Sequence, residues 1–453
     1  MKTVLPPHLP SELERKLASP AGPIPGGGRN GAVRQPIHVV YGGAHLFRAD
    51  TAQKLGAIAQ RSLADYAPDA ASLANAIGLR SGLAEAVYGR VAERLGRQPV
   101  EDYRLDFEDG YGYRLDAEED GHAESAACEV ARGMETDQLP ANIGIRIKPL
   151  NAASHTRSIR TLDIFVSTLA QRTGGKLPLG FVVTLPKIVS PVQIEVLVGV
   201  FEKLEPALGF GSGALQMEMM IETPQSILNE RGECALPGFI AAADGRCRGL
   251  HFGPYDYTAS LGITAEHQHL RHPACNFARA IMQVAAAGTE VWLADGPTTV
   301  LPIPSYRASP GGPPLSAIQQ EQNLSSVHRA WKLHFEDVQH SLANGFYQGW
   351  DLHPAQLVTR YAAVYAFFLS GLKAASARLR NFVETAAQAT RIGSIFDDAA
   401  TGQGLLNYFL WAIHAGAVTE DEAREQTGLT MDELRSGSFL EIATVRREGH
   451  PSR

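Results

Sequence analysis

Eight short β-rich runs, each followed by a spacer long enough for a helix, predict an α/β fold. Charged residues cluster where the runs stop, which favours a closed (β/α)8 TIM barrel over an open doubly wound sheet. Past the last run the pattern turns helical, so the barrel carries a C-terminal helical extension. The divisions read as a loosely ordered arm over 1–35, a barrel over 36–356 and helices over 357–453.

The arm is broken by Pro6-Pro7, Pro10 and Pro25-Gly26-Gly27-Gly28, with room for one short helix over Ser11–Leu17. The first strand is Ile37–Tyr41, closed by Gly42-Gly43, and helical spacing follows over Ala52–Tyr66 and Ala70–Leu95. Tyr103–Phe107 leads into Glu108-Asp109-Gly110, then a helix over Ala123–Met134. Gly144–Lys148 precedes a helix over Ser158–Gln171, and Gly180–Leu185 precedes Pro186-Lys187 and a helix over Val192–Leu204. The fifth run, Leu215–Ile221, is all large and apolar apart from Gln216 and Glu218, as a strand covered on both faces requires, and it stops on Glu222. The sixth, Gly249–Phe252, runs on to Asp256. Glu290–Ala294 and Gly349–Leu352 complete the set. Residues 300–325 are a Pro/Gly/Ser-rich insertion, of the kind that forms a lid or an oligomer contact at a barrel rim. The extension reads as helices over Val358–Leu369, Leu372–Ala387, Gly402–Ala415 and Glu420–Thr427, with a frayed tail over Arg446–Arg453.

A chain of 453 residues with 44% hydrophobic and 20% charged residues has the composition of a soluble globular protein. Its net charge of −7 leaves no basic excess to neutralise phosphates, which argues against nucleic acid as a partner. Cys128, Cys234, Cys247 and Cys275 show no paired spacing and read as free thiols in a reducing compartment. There is no signal-peptide-like run and no stretch of 18 apolar residues, so the sequence predicts a cytoplasmic protein with no membrane partner. No dinucleotide fingerprint follows a strand, and no Walker-type phosphate loop occurs.

The residues at strand ends carry the chemistry. Glu108, Asp109, Arg146, Lys187, Glu222, Asp256, Asp295 and His353 would converge on one rim of a barrel. Glu222 and Asp256, on neighbouring strands, suit a hard divalent cation, since Mg²⁺ takes one or two protein carboxylates and leaves the rest to water and substrate oxygens. A planar guanidinium at Arg146 suits a substrate carboxylate. Each residue also has a plainer use. Glu108-Asp109 fits a turn before Gly110, Arg146 a structural ion pair, Lys187 a solvated loop, His353 a brace for the last loop and Asp295 a turn.

In this order the motifs resemble the citrate lyase β-subunit/dihydroxyheptenedioate aldolase superfamily of metal-dependent C–C lyases, with malate synthase more distant. The similar segments are Leu105-Asp106-Phe107-Glu108-Asp109-Gly110, Gly144-Ile145-Arg146-Ile147, Leu185-Pro186-Lys187 and Ile221-Glu222-Thr223. Phe252-Gly253-Pro254-Tyr255-Asp256-Tyr257 and Asp351-Leu352-His353-Pro354-Ala355-Gln356 complete them. The resemblance implies Mg²⁺ or Mn²⁺ on Glu222 and Asp256, Arg146 on the substrate carboxylate, and Glu108 and Asp109 holding the metal's waters. Lys187 joins the catalytic set, and Gly253, Pro254 and His45 the substrate contacts. Where CoA-using members carry Pro-Gly-x-Arg after the first strand, this chain reads Tyr41-Gly42-Gly43-Ala44-His45, which speaks against a CoA thioester. Some relatives cover the site with a C-terminal acid/base carboxylate, and Asp398 is the candidate for that role, although a helix cap there is an equal alternative. The general base stays open between a metal-bound water, His45 and Asp398.

The expected function is a metal-dependent C–C lyase or aldolase acting on a 2-oxo acid or related carboxylate through a Mg-stabilised enolate, with the helical extension and the Pro-rich insertion pointing to a homo-oligomer. The rival readings are acyl or phosphoryl transfer on an enolpyruvate-type substrate, and an inert ligand-binding or scaffold barrel.

Overall fold

The computed structural model describes residues 34–309, 311–384, 390–392, 395–397 and 399–448. The expectations for the arm before Arg34, for Asp398 and for the tail beyond Glu448 lie outside these residues.

Eight parallel strands close in chain order into one barrel. They are β1 (His38–Gly43), β2 (Asp102–Asp106), β3 (Asn142–Arg146), β4 (Val182–Leu185), β5 (Gln216–Ile221), β6 (Cys247–Phe252), β7 (Trp292–Pro297) and β8 (Gln348–Asp351). β8 pairs back onto β1, with Val39 opposite Trp350, so the sheet has no free edge. All eight predicted runs are present, displaced by a few residues at most. Their outward side chains, such as Ile143, Ile145, Val183, Met217 and Met219, are fully covered by helices. That is why the runs read as apolar rather than alternating.

The inner face is polar. Arg104 on β2 donates to Glu218 on β5 through Nε at 2.9 Å and Nη2 at 2.5 Å, and to Asp102 Oδ2 at 3.0 Å. Thr184 on β4 donates to Glu218 at 3.1 Å, and His251 on β6 lies 3.3 Å from it. Burial would raise the Glu218 carboxyl, but Arg104 and His251 outweigh it and hold it well below the usual range. One carboxylate thus ties three other strands across the barrel. Glu218→Gln should destabilise the protein by roughly 3 kcal/mol, because a buried guanidinium loses one of its two counter-charges and keeps only Asp102. Urea unfolding of the two proteins checks this, and a change below about 1 kcal/mol would assign the network no structural weight.

The helices before β5 are α1 (Thr51–Tyr66), α2 (Ala70–Ile77), α3 (Ala84–Arg97), α4 (Asp116–Glu135), α5 (His155–Thr173) and α6 (Pro191–Leu208). The stretch read as one helix over Ala70–Leu95 is two, because Gly78 takes φ 74° and ends α2. After β5 come α7 (Pro224–Ile227) and α8 (Leu236–Ala242), and after β6 come α9 (Pro254–Ser260) and α10 (Pro273–Ala286). α11 (Ala317–Ala343) takes over the last part of the 300–325 insertion, starting at a Ser316/Gln319 capping box. α12 (Gln356–Glu384) runs through Gly371, where two helices were expected. A Cβ at Gly371 would lie 3.1 Å from the Tyr408 hydroxyl, so this glycine serves helix packing rather than a break. α12 packs on α1, α3 and α11, so it closes the ring around the barrel. Its far half carries α13 (Ala399–His414) and α14 (Glu420–Thr427), followed by α15 (Met431–Ser436) and α16 (Phe439–Glu448). No described helix is long and apolar enough to cross a membrane.

Candidate metal centre and substrate cavity

The C-terminal ends of β1, β2, β3, β5, β6, β7 and β8 surround a cavity of about 340 Å³. Its lining includes Tyr41, Asp106, Asp109, Arg146, Glu222 and Asp256, together with Gly253, Pro254 and Trp350.

Arg146 is the last residue of β3 and is buried. Its Nε and Nη2 donate to the two oxygens of Asp106 at 2.7 and 2.5 Å. Its Nη1 edge faces Glu108 at 3.2 Å and Asp109 at 3.8 Å. Its guanidinium also lies 4.9 Å from the Tyr41 ring and 5.5 Å from the Trp350 ring, which are themselves 4.2 Å apart. The ion pair and the cavity position therefore coexist: one edge of Arg146 is fixed by protein, and the residue still lines the cavity.

Asp106 was read only as part of a motif, yet it organises this corner. It also accepts the backbone N–H of Glu108 at 2.9 Å and of Gly110 at 2.7 Å, which folds the loop carrying Glu108 and Asp109 back over the strand end. A Cβ at Gly110 would sit 2.6 Å from Asp106 Oδ2, so the loop closes only with glycine there.

Glu222 follows β5 directly and is buried. Its Oε1 accepts the backbone N–H of Lys187 at 2.7 Å. Burial, reinforced by the charge of Asp256, pushes its carboxyl up to about 8. Gly253 is again a close approach: a Cβ there would lie 2.6 Å from Glu222 Oε2. Asp256 does not end β6. It sits in the first turn of α9, because Pro254 at the first helical position starts a helix at once. Lys187, at φ 53°, directs its ammonium to Glu108, with Asp109 at 3.4 Å and Asp256 at 3.7 Å. Burial opposes its charge, but Glu108, Glu222 and Asp109 raise it above the ordinary lysine value. Burial likewise raises Glu108 against the pull of Arg146, whereas at Asp109 burial is outweighed by Arg146 and Lys187 and the carboxyl is lowered.

Three strand-end residues stand apart. His45 lies outside the cavity lining and packs on Tyr111 and His122, with ring centroids at 5.4 and 5.8 Å. Asp295 points into the helical shell, where Arg279 and Ser341 hold it. His353 accepts the backbone N–H of Ala355 at 3.2 Å and braces the loop after β8.

Among the described residues, no group of three or more His, Cys, Asp or Glu side chains is arranged to hold a metal. A pair of carboxylates is what Mg²⁺ accepts when water and substrate supply the other oxygens. The raised carboxyl of Glu222 marks a buried acid whose negative charge lacks sufficient compensation from the chain itself, and a divalent ion fits that deficit.

The family described as a domain of unknown function, DUF6986, matches residues 24–442. This chain belongs to that family. Among curated proteins, the DUF6986 chain is 36% identical over 97 residues to an L-malyl-CoA/beta-methylmalyl-CoA lyase of Haloarcula marismortui. That match takes in 21% of this chain and 26% of the relative, so it spans about a quarter of the relative's length. Among solved structures, a citrate lyase of Burkholderia xenovorans LB400 superposes with a TM-score of 0.55 at 17% identity, covering 88% of this chain and 98% of the other. A Haloferax volcanii malate synthase in a magnesium/glyoxylate complex gives a TM-score of 0.44 at 16% identity, covering 90% and 97%. The citrate lyase likeness shows the fold of the DUF6986 chain.

Proposed function

We propose that this protein is a divalent-metal-dependent carbon–carbon lyase that cleaves or forms a bond next to a small 2-oxo acid. The observation that carries the reading is the meeting of Glu222, Asp256 and Arg146 at one cavity, with the Glu222 carboxyl raised to about 8. Glu222 and Asp256 would hold Mg²⁺ or Mn²⁺. When bound, the cation supplies Lewis-acid stabilisation of charge developing on the substrate's oxo group. Arg146, locked by Asp106, presents its remaining N–H groups to the substrate carboxylate and fixes its orientation. Tyr41 and Trp350 form an aromatic wall beside that guanidinium. The partial match to a curated lyase supports the reaction class.

The substrate of this reading is a free acid rather than a CoA thioester. The turn after β1 carries Ala44, His45 and Leu46, and Arg48 beyond it donates to the carbonyl of Phe47 at 2.6 Å. The test is pyruvate release from 4-hydroxy-2-oxo acids, coupled to lactate dehydrogenase, with Mg²⁺ and after chelation. Mg²⁺-dependent release is expected, with a loss of at least about 100-fold on chelation. Turnover indifferent to chelator would overturn the proposal.

A further inference from the structure

Lys187 already occupies the place of a cation. Its backbone N–H binds Glu222, while its ammonium touches Glu108 and lies 3.4 Å from Asp109 and 3.7 Å from Asp256. One residue therefore contacts both carboxylates assigned to the metal and both acids of the loop after β2. Arg146, the one cation among the residues that line the cavity, is committed to Asp106 by two hydrogen bonds. A lysine ammonium is a point charge on a flexible stem, able to leave one carboxylate for another without moving the backbone. Because the backbone N–H fixes Lys187 at Glu222, the side chain stays at the site even when its ammonium swings away.

We propose that Lys187 is a built-in counter-cation that competes with the divalent ion for Asp256 and is displaced toward Glu108 and Asp109 when that ion binds. The inference rests on the metal-site reading above. In the metal-free protein the ammonium keeps the acids of the rim from repelling one another. In the loaded protein the same ammonium repels the ion, because two cations share one set of oxygens. The chain thereby holds its metal less tightly than the bare carboxylates would, and the swung ammonium adds a positive group on the Glu108/Asp109 side of the cavity.

Calorimetric titration of the full-length protein with MnCl2 and MgCl2 tests this. Lys187→Met should bind Mn²⁺ about tenfold or more tightly than the parent, Lys187→Gln should do the same, and Lys187→Arg, which keeps the charge, should stay within about threefold. The tightened variants should also gain more in Tm from added Mn²⁺ than the parent does. Equal or weaker binding by folded Lys187→Gln would overturn the proposal, and circular dichroism establishes folding. If the parent binds Mn²⁺ and Glu222→Gln does not, while Lys187→Gln matches the parent, the competition fails and the metal site stands. If the parent binds no divalent ion, both fall.

Discussion

Glu222→Gln is expected to abolish divalent-metal binding and to lower turnover by about a thousandfold or more. The substitution is close to isosteric, and the amide oxygen of Gln can still accept the Lys187 N–H that Glu222 Oε1 accepts at 2.7 Å. Loss of function should therefore not come from loss of fold. The variant should in fact be the more stable protein in chelator at alkaline pH. The Glu222 carboxyl is raised from 4.5 to about 8 in the folded chain by burial and by Asp256. Its folded value lies above its unfolded one, so the stabilising contribution of the neutral form is fully present below about 4.5 and is lost as pH rises through about 8. Gln has no proton to lose and keeps that contribution. Melting curves in EDTA at pH 5 and pH 9 should thus diverge, with the variant ahead of the parent at pH 9. Added Mg²⁺ should reverse the order by stabilising only the parent. A variant that still binds Mg²⁺ with the parent's affinity would remove Glu222 from the metal site.

The same titration sets the pH dependence of metal binding. A divalent ion needs the ionised carboxylate, so binding displaces the proton held on Glu222. Affinity in the parent should climb with pH up to about 8 and then level off. This trade, in which a strained acid lowers the stability of the empty protein and then supplies the ligand, is common to functional sites.

Most of the barrel was legible in the sequence because its signal is local. Each strand is a buried apolar run with a polar stop, and the period of strand and spacer is what a parallel closed sheet needs. The errors fell where tertiary contacts override local preference. Gly371 reads as a helix break and instead makes room for Tyr408, while Gly78, unremarked in its helical pattern, turns left-handed and ends α2. Asp256 reads as a strand end and instead starts a helix, because the proline before it presets the helical φ. Within the site, Glu222, Asp256, Arg146, Glu108, Asp109 and Lys187 come together as the strand-end pattern implied. His45 sits away from the cavity, since the turn after β1 directs it toward Tyr111 and His122. Tyr41 and Trp350 were passed over because an aromatic inside an apolar run looks like core. Only closure of β8 onto β1 brings the two rings against Arg146. Asp106 was overlooked for a related reason: its four donors come from the neighbouring strand β3 and from a loop.

Asp106→Asn should be the substitution at this rim that costs the most stability, and it should lower activity as well. The carboxylate accepts from Arg146 Nε and Nη2 and from the N–H groups of Glu108 and Gly110, two donors on each oxygen. An asparagine offers one accepting oxygen, and its amide nitrogen would meet two N–H donors head-on. Whichever way the amide turns, either Arg146 Nε with the Glu108 N–H or Arg146 Nη2 with the Gly110 N–H loses its acceptor. The buried guanidinium also loses its closest counter-charge. Breaking a buried pair of this kind costs about 3–5 kcal/mol, and urea unfolding should show a loss of that size. The catalytic loss follows from the same geometry. Once Arg146 is held by one edge less, its Nη1, already 3.2 Å from the Glu108 carboxylate, can close on that carboxylate and draw the N–H groups meant for substrate out of line. Turnover should fall by roughly a hundredfold or more, since misplacing a positioning group by about 1 Å has that effect, while Mn²⁺ affinity at Glu222 and Asp256 should change little. An Asp106→Asn protein that keeps the parent's kcat/KM would show that Arg146 is oriented by something other than this carboxylate.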